Sequence, residues 1–395
     1  MAEVQISGRV EPGFERVRAA FEANFAERGE VGAGFCLYVG GRPVVDLIGG
    51  RADPAQGTPY GPDTLQLVFS TTKGATALCA HMLAERGELD LEAAVAEYWP
   101  EFAANGKQAI SVRSILSHQA GLPTIDGQLT LEELCAVAPV VEALAVQKPF
   151  WEPGTAHGYH ALTFGWLVGE IVRRVSGRTI GRWFADEVAK PLGIDFHIGL
   201  PESEEARVAP LQPMKIVIPS DPAVVERMAA VLDPDALMLR ALTLNGAISF
   251  GGWDEAFDAE SSFNRRDVHA TEMPAANGIT NASSLARMYA ATFGEVDGVR
   301  LLSERSMNEA RRLQVEGPDR VLIEETRLAS GFFLDGTACP MLGPNSFGHS
   351  GAGGSLGFAD PEAGVAFGYV MNQMALGLGG DPRAMALVEA VRHSL

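Results

Sequence analysis

Lysine is scarce in this chain: of 395 residues only five are lysines, at positions 73, 107, 148, 190 and 215. Positive charge as a whole is in deficit, with 31 Lys and Arg against 50 Asp and Glu and a formal net charge of −19. Such a balance argues against binding DNA, RNA or an anionic membrane, which call for a basic face. Cysteine is also rare, with four residues at 36, 79, 135 and 339 in apolar segments and no C-x-x-C spacing. That pattern argues against a disulfide framework or a thiolate metal site and reads as reduced core residues. No apolar run reaches the ~18 residues that span a bilayer. Residues 1–12 carry neither the basic nor the apolar region of a signal peptide. The histidines lack H-E-x-x-H spacing, and repeats and low-complexity linkers are absent. The expected compartment is the cytosol, and neither a metal nor an organic cofactor is expected.

The rest of the composition, 47% hydrophobic and 21% charged, is that of a globular protein long enough to bury a large core and to split into two lobes. Against the scarcity of lysine, Lys73 stands out, because it alone has a serine three residues before it, in Ser70-Thr71-Thr72-Lys73. The apolar run 65–69 leads into this tetrad, and a helical pattern continues from Gly74 to Gly87. Residues three apart share a helix face, with Cβ atoms roughly 5–6 Å apart. A serine hydroxyl and a lysine amine can therefore occupy one pocket. Serine is a weak nucleophile until a base takes its proton, and lysine can do so only when its pKa falls below its ordinary ~10.4. Burial beside a helix N-terminus pushes in that direction. The alternative is a helix-capping Ser70 with a solvated Lys73.

Along the chain, the periodicity predicts a helix over 12–28 with an apolar stripe of Phe14, Val17, Phe21 and Phe25. A hairpin of 34–39 and 43–48 turns at Gly40-Gly41. Helical segments follow at 91–98, 112–118 (capped by Ser111), 131–144 and 164–175, then an irregular stretch over 201–274 and a helix over 281–293. Strand-like runs at 328–334, 346–358 and 365–371 precede a final helix over 382–395, opened by Asp381-Pro382. Strands at both ends with helices between predict an α/β (α+β) protein, an antiparallel sheet flanked by N- and C-terminal helices plus an inserted, mainly helical lobe. The expected lobes are 1–75 with 280–395, and 76–279, the latter holding a variable 201–270 segment near the cleft. Ser70 falls where the lobes meet.

A lysine base needs a partner to pass the proton to a leaving group. Tyr159, in Pro153-Gly154-Thr155-Ala156-His157-Gly158-Tyr159-His160-Ala161, is the candidate: a phenol held between a serine and an ammonium can act as general base or acid. The alternative is a Tyr packed at a helix start. An oxyanion hole needs two N–H groups converging on one point. The glycine-rich 347–357 offers a strand edge that a substrate can approach closely; a plain bend is the alternative.

Four ordered motifs, S-T-T-K (70–73), I-L-S-H-Q-A-G-L-P (115–123), P-G-T-A-H-G-Y (153–159) and G-H-S-G-A-G-G-S-L-G (348–357), resemble the series of class C β-lactamase-like serine hydrolases, and most of all the family VIII carboxylesterases. S-x-x-K is a known signature of penicillin-recognising enzymes. The likeness runs over nearly the whole chain and is loosest in 201–270. It implies a β-lactamase/transpeptidase-like fold and an acyl-enzyme route with Ser70 as nucleophile, Lys73 as its proton acceptor and Tyr159 as proton shuttle. The N–H groups of Ser70 and Ala352 would form the oxyanion hole. His349-Ser350-Gly351 stands where β-lactamases have Lys-Thr-Gly, and is expected to contact substrate. Two departures matter: Tyr-x-Asn is here Tyr159-His160-Ala161, and the lysine of Lys-Thr-Gly is His349, a weaker and pH-dependent cation. Both favour neutral esters over anionic β-lactams.

Trp151 and His160 are candidate substrate contacts; Trp151, Phe250, Trp253 and Phe257 are candidate walls of an acyl pocket or plain core. His118 reads as a structural histidine that can orient the Ser70 pocket, and His157 as a loop residue. Gly353-Gly354-Ser355-Leu356-Gly357 is a literal G-x-S-x-G, but no helix follows it, so Ser355 is not expected to be a nucleophile. The resulting expectation is a serine carboxylesterase acting on small to medium esters. A weak β-lactamase, a D-aminopeptidase-like amidase and an acyltransferase are alternatives, and a non-catalytic ligand-binding relative is the reading from another class.

Overall fold

The computed structural model describes residues 4–214, 233, 235–249 and 261–395. The strands are β1 (Ile6–Val10), β2 (Gly32–Val39), β3 (Arg42–Asp53), β4 (Thr58–Pro59), β5 (Gln66–Leu67), β6 (Phe196–His197), β7 (Ile279–Thr280), β8 (Val315–Pro318), β9 (Glu325–Leu328), β10 (Phe333–Leu334), β11 (Phe347–Ser350), β12 (Leu356–Asp360) and β13 (Val365–Met371). The principal sheet runs β1-β3-β2-β13-β12-β11-β10-β9-β8, with β4 paired to β3, and its pairings are antiparallel. The seam between the chain's two ends is the β2–β13 pair, in register from Val39↔Val365 to Ala33↔Met371. Both strands are apolar throughout and almost wholly buried, as expected of strands covered on both faces.

The principal helices are α1 (Glu15–Glu27), α2 (Thr72–Glu85), α3 (Thr163–Ser176), α4 (Ala282–Phe293) and α5 (Pro382–Arg392). A Cβ on Gly34 would lie 3.3 Å from the Ala282 Cβ of α4, whereas one on Gly49, paired with Ala33, would lie 3.2 Å from the Phe25 ring of α1. Ala33 and Gly34 are neighbours on one strand and point to opposite faces. Helix α4 therefore covers one face and α1 the other, where Asn24 Nδ2 donates to Arg383 O of α5 at 3.2 Å. A three-stranded sheet, β5-β7-β6, lies at the entry to α2.

The expected hairpin at Gly40-Gly41 and the strand 365–371 form as read. Three expected elements are broken. The helix expected over 131–144 is two, Leu131–Cys135 and Ala138–Val146, separated by Val137 at φ 64°. The strand expected over 328–334 is interrupted by a turn at Ser330-Gly331, and the one expected over 346–358 divides into β11 and β12 around a 3₁₀ turn, Ala352–Gly354. The helix expected over 91–98 keeps only Val95–Tyr98. Within the stretch expected to be irregular, short helices form at Glu202–Arg207, Leu237–Thr243 and Arg266–Ala270. Phe250, Trp253 and Phe257 lie outside the described residues.

Candidate active site

The chain enters α2 through a tight turn. Phe69 sits in the left-handed region at φ 45°, a cost for a bulky residue that surrounding contacts must hold. Its ring packs edge-on against Phe263 with centroids 4.8 Å apart. Thr72 Oγ1 donates to Phe69 O at 2.5 Å and accepts from Gly278 N–H at 2.8 Å, closing the turn. Ser70 is the second residue of the 3₁₀ turn Phe69–Thr71, which runs into α2. Its side chain is partly exposed while its neighbours 64–69 and 71–83 are buried.

Lys73 is fully buried one turn on. Its Nζ lies 2.7 Å from Ala161 O, 3.0 Å from Ala275 O and 3.2 Å from Ser70 Oγ. No ion pair accompanies it among the described residues, and burial pushes its pKa well below the ordinary lysine value. A neutral amine has two hydrogens and one lone pair. With the hydrogens on the two carbonyls, the lone pair faces the Ser70 hydroxyl. The carbonyl of Ala275 reaches this spot because Gly165 of α3 leaves room: a Cβ there would lie 2.5 Å from Ala275 N.

Tyr159 closes the other side, its ring centroid 4.7 Å from Lys73 Nζ. Burial raises its phenol pKa, opposed in part by a hydrogen bond with Ser70, so the neutral phenol is the resident form. The backbone around it is pinned at three points. Tyr159 N–H donates to Asp319 Oδ1 at 3.0 Å, Gly158 N–H to His118 O at 3.1 Å, and His160 N–H to His118 Nδ1 at 3.0 Å. Tyr159 Oη also lies 3.5 Å from His349 Nε2.

His349 lies beside Ser350 O, 2.6 Å from its Nδ1, which must therefore carry the ring hydrogen. Burial, reinforced by Lys73, pushes its pKa down to about 3. It is thus a neutral imidazole whose Nε2 lone pair faces the phenol, and not the pH-dependent cation expected from its place in the motif. After β11 the chain turns through Ala352–Gly354, where Gly354 N–H donates to Gly351 O at 3.1 Å. Ser70 and Ala352 each occupy an early position of a 3₁₀ turn, where N–H groups have no partner within the turn.

The structure thus brings Ser70, Lys73, Tyr159 and His349 together, with the Gly351-Ala352 turn alongside the Ser70 turn. A Cβ on Gly351 would lie 2.2 Å from Val68 O and 3.0 Å from Thr71 Oγ1, so no other residue fits. Ser350 Oγ donates to Leu378 O at 2.7 Å. Trp151 is buried, its Nε1 donating to Ala156 O at 3.0 Å and its ring against Gly158, so it backs the Tyr159 segment. The reading of His160 as a substrate contact is corrected. It is fully buried, Nε2 accepts from Leu122 N–H at 2.9 Å and Nδ1 meets Gly158 O at 2.7 Å, so both nitrogens are engaged by backbone. His157 is likewise buried, against Thr326 Oγ1 at 2.8 Å.

Sequence reasoning missed Asp319, whose Oδ1 also accepts from Val321 and Leu322 N–H at 2.8 and 2.9 Å. The Gly317-Pro318-Asp319 turn signal was its only trace. It also missed the carbonyls of Ala161 and Ala275, since backbone acceptors leave no mark in sequence. Ser355 is buried at the junction of the two turns, with no access for attack.

The beta-lactamase family pattern matches residues 17–392. The esterase/beta-lactamase LipL of Mycobacterium tuberculosis is 38% identical over 377 residues, covering 94% of this chain and 83% of that protein. A crystal structure of a family VIII carboxylesterase superposes with a TM-score of 0.87 at 39% identity, covering 99% of this chain and 100% of the other. EstA from Arthrobacter nitroguajacolicus Rue61a gives 0.84 at 36% identity, with 98% of each chain covered. With its S-x-x-K serine, buried lysine and facing tyrosine on a matching fold, the chain belongs to the beta-lactamase family of serine hydrolases.

Proposed function

We propose that this protein is a serine carboxylesterase acting on small to medium carboxylic esters through an acyl-Ser70 intermediate. The observation that carries the reading is the placement of buried Lys73, whose Nζ lies 3.2 Å from Ser70 Oγ and 2.7 and 3.0 Å from two carbonyls. As the neutral amine it gives its two hydrogens to the carbonyls and its lone pair to the Ser70 hydroxyl. Ser70 Oγ attacks the ester carbonyl carbon while its proton passes to Lys73 Nζ. The tetrahedral oxyanion is held by the N–H groups of Ser70 and Ala352. Collapse breaks the bond to the leaving oxygen, which takes a proton from the Tyr159 phenol; Lys73 resupplies the phenol. Water then adds to the acyl-enzyme, giving its proton to Lys73, and the acid departs as Ser70 regains its own. Tyr159 acts as a shuttle and Lys73 as the resting base, because burial raises the phenol and lowers the amine.

The neutrality of His349 supports esters over β-lactams, since an uncharged imidazole offers a substrate carboxylate no ion pair. The family VIII carboxylesterase structure points the same way, while the name of LipL carries both esterase and beta-lactamase. The reading takes 1–75 with 280–395 as the sheet lobe and 76–279 as the helical lobe, with 201–270 bearing on acyl-chain preference. It places the enzyme in the cytosol; among the described residues no helix is long and apolar enough to cross a membrane. Hydrolysis of p-nitrophenyl acetate through octanoate beside nitrocefin tests the substrate class. Ester turnover exceeding nitrocefin turnover by ~10²-fold or more in kcat/KM is expected. Comparable efficiency on nitrocefin would overturn the ester assignment.

A further inference from the structure

Ser355 is the serine of a literal nucleophile-elbow pattern, yet it is 1% exposed. It follows directly on one of the two turns that bear the proposed oxyanion-hole donors, and its hydroxyl reaches across to the other. Ser355 Oγ donates to Val68 O at 2.9 Å, on one side of Ser70, and lies 3.0 Å from Thr71 Oγ1 on the other. With the Ser355 hydrogen given to Val68 O, Thr71 supplies the hydrogen of the second bond. The backbone of Ser355 closes the second turn, its carbonyl accepting from Gly351 N–H at 2.8 Å. One residue therefore grips the Ser70 turn with its side chain and the Gly351-Ala352 turn with its main chain. On the far side of that turn the buried Arg383 donates to Gly353 O at 2.7 Å, so the turn is fixed from both flanks.

From this geometry we infer that Ser355 is a positioning residue for the oxyanion hole: it sets the separation of the Ser70 and Ala352 N–H groups without touching substrate. The inference rests on the acyl-Ser70 reading. An oxyanion hole works only when both donors lie at the position the developing oxyanion will occupy. A misplacement of about 1 Å costs about 10²-fold in rate. Such a defect appears in the transition state more than in ground-state binding, so it lowers kcat and leaves KM.

Ser355→Ala and Ser355→Cys are compared with wild type and Ser70→Ala, using p-nitrophenyl butyrate kinetics, circular-dichroism melting, and inhibition by an alkylboronic acid, whose adduct on Ser70 mimics the tetrahedral state. Ser355→Ala is expected to lose ~10–100-fold in kcat with KM within about two-fold. Boronate affinity should fall by a similar factor, while the enzyme stays folded at the assay temperature. Ser355→Cys, which keeps a weak donor and acceptor, should recover part of the loss. Wild-type kcat and boronate affinity in Ser355→Ala would overturn the inference and leave the esterase reading standing. So would a loss confined to KM. Turnover in Ser70→Ala equal to wild type would overturn both.

Discussion

At the scale of single residues, the chemistry turns on the protonation of Lys73 and Tyr159. Lys73 must be neutral to accept the serine proton, so kcat/KM should rise with pH through the Lys73 pKa and then level off. Burial moves that pKa down, so the plateau is reached below the pH at which an ordinary lysine would titrate. His349, held down to about 3, contributes no limb between pH 5 and 8. Lys73→Arg is the sharpest variant, because a guanidinium stays protonated at every accessible pH. It should lose at least ~10²-fold in kcat/KM, with no recovery up to pH 9; Tyr159→Phe should lose ~10²–10⁴-fold. A Lys73→Arg enzyme within ten-fold of wild type in a stopped-flow acylation assay would remove Lys73 from the role of base.

At the scale of elements, the S-x-x-K tetrad and the Tyr159 loop were legible because their signals reside in side chains, whereas the glycine-rich 347–357 was read as a strand edge and is in part a turn. What holds the tetrad and the loop was not legible. Tyr159 depends on Asp319, 160 residues away in the chain, and Lys73 on two alanine carbonyls. The long-strand reading of 346–358 failed at Gly351-Ala352-Gly353-Gly354, a glycine-rich run that turns instead of extending. The single-helix reading of 131–144 passed over Pro139, which cannot continue a helix and instead sits in the first turn of Ala138–Val146, just after Val137 at positive φ. Asp319 gives a prediction at this scale. Asp319→Ala strands the N–H groups of Tyr159, Val321 and Leu322 and should cost about 2–4 kcal/mol in urea unfolding, with ~10-fold in kcat. Asp319→Asn keeps the Oδ1 acceptor and should cost less than half as much. Equal losses in the two variants would show that charge, and not the acceptor geometry, fixes the loop.

For the molecule as a whole, the antiparallel sheet flanked by terminal helices was readable from strands clustered at both ends of the sequence. The pairing of β2 with β13 that closes it was not, since register between distant strands is set by packing. The closure is reinforced by a buried charge network. Arg383 of α5, 3% exposed, donates to Glu30 Oε1 at 3.1 Å, to Asp381 Oδ2 at 2.8 Å and to Gln373 O at 2.9 Å, while Tyr369 of β13 donates to Glu30. Burial raises the Glu30 carboxyl pKa and Arg383 opposes it. Arg383→Leu leaves Glu30 buried without its cation and should cost about 3–5 kcal/mol. Adding Glu30→Gln should restore part of that loss; a cost below about 1 kcal/mol for Arg383→Leu alone would contradict the network's role.

The proposed chemistry requires Ser70 to form a covalent acyl-enzyme from an ester. Intact-protein mass spectrometry after rapid acid quench from p-nitrophenyl butyrate measures it directly. A butyryl adduct is expected on the wild type, mapped to the peptide bearing Ser70 and absent from Ser70→Ala. Ester turnover with no adduct at any quench time, or an adduct that persists in Ser70→Ala, would contradict it.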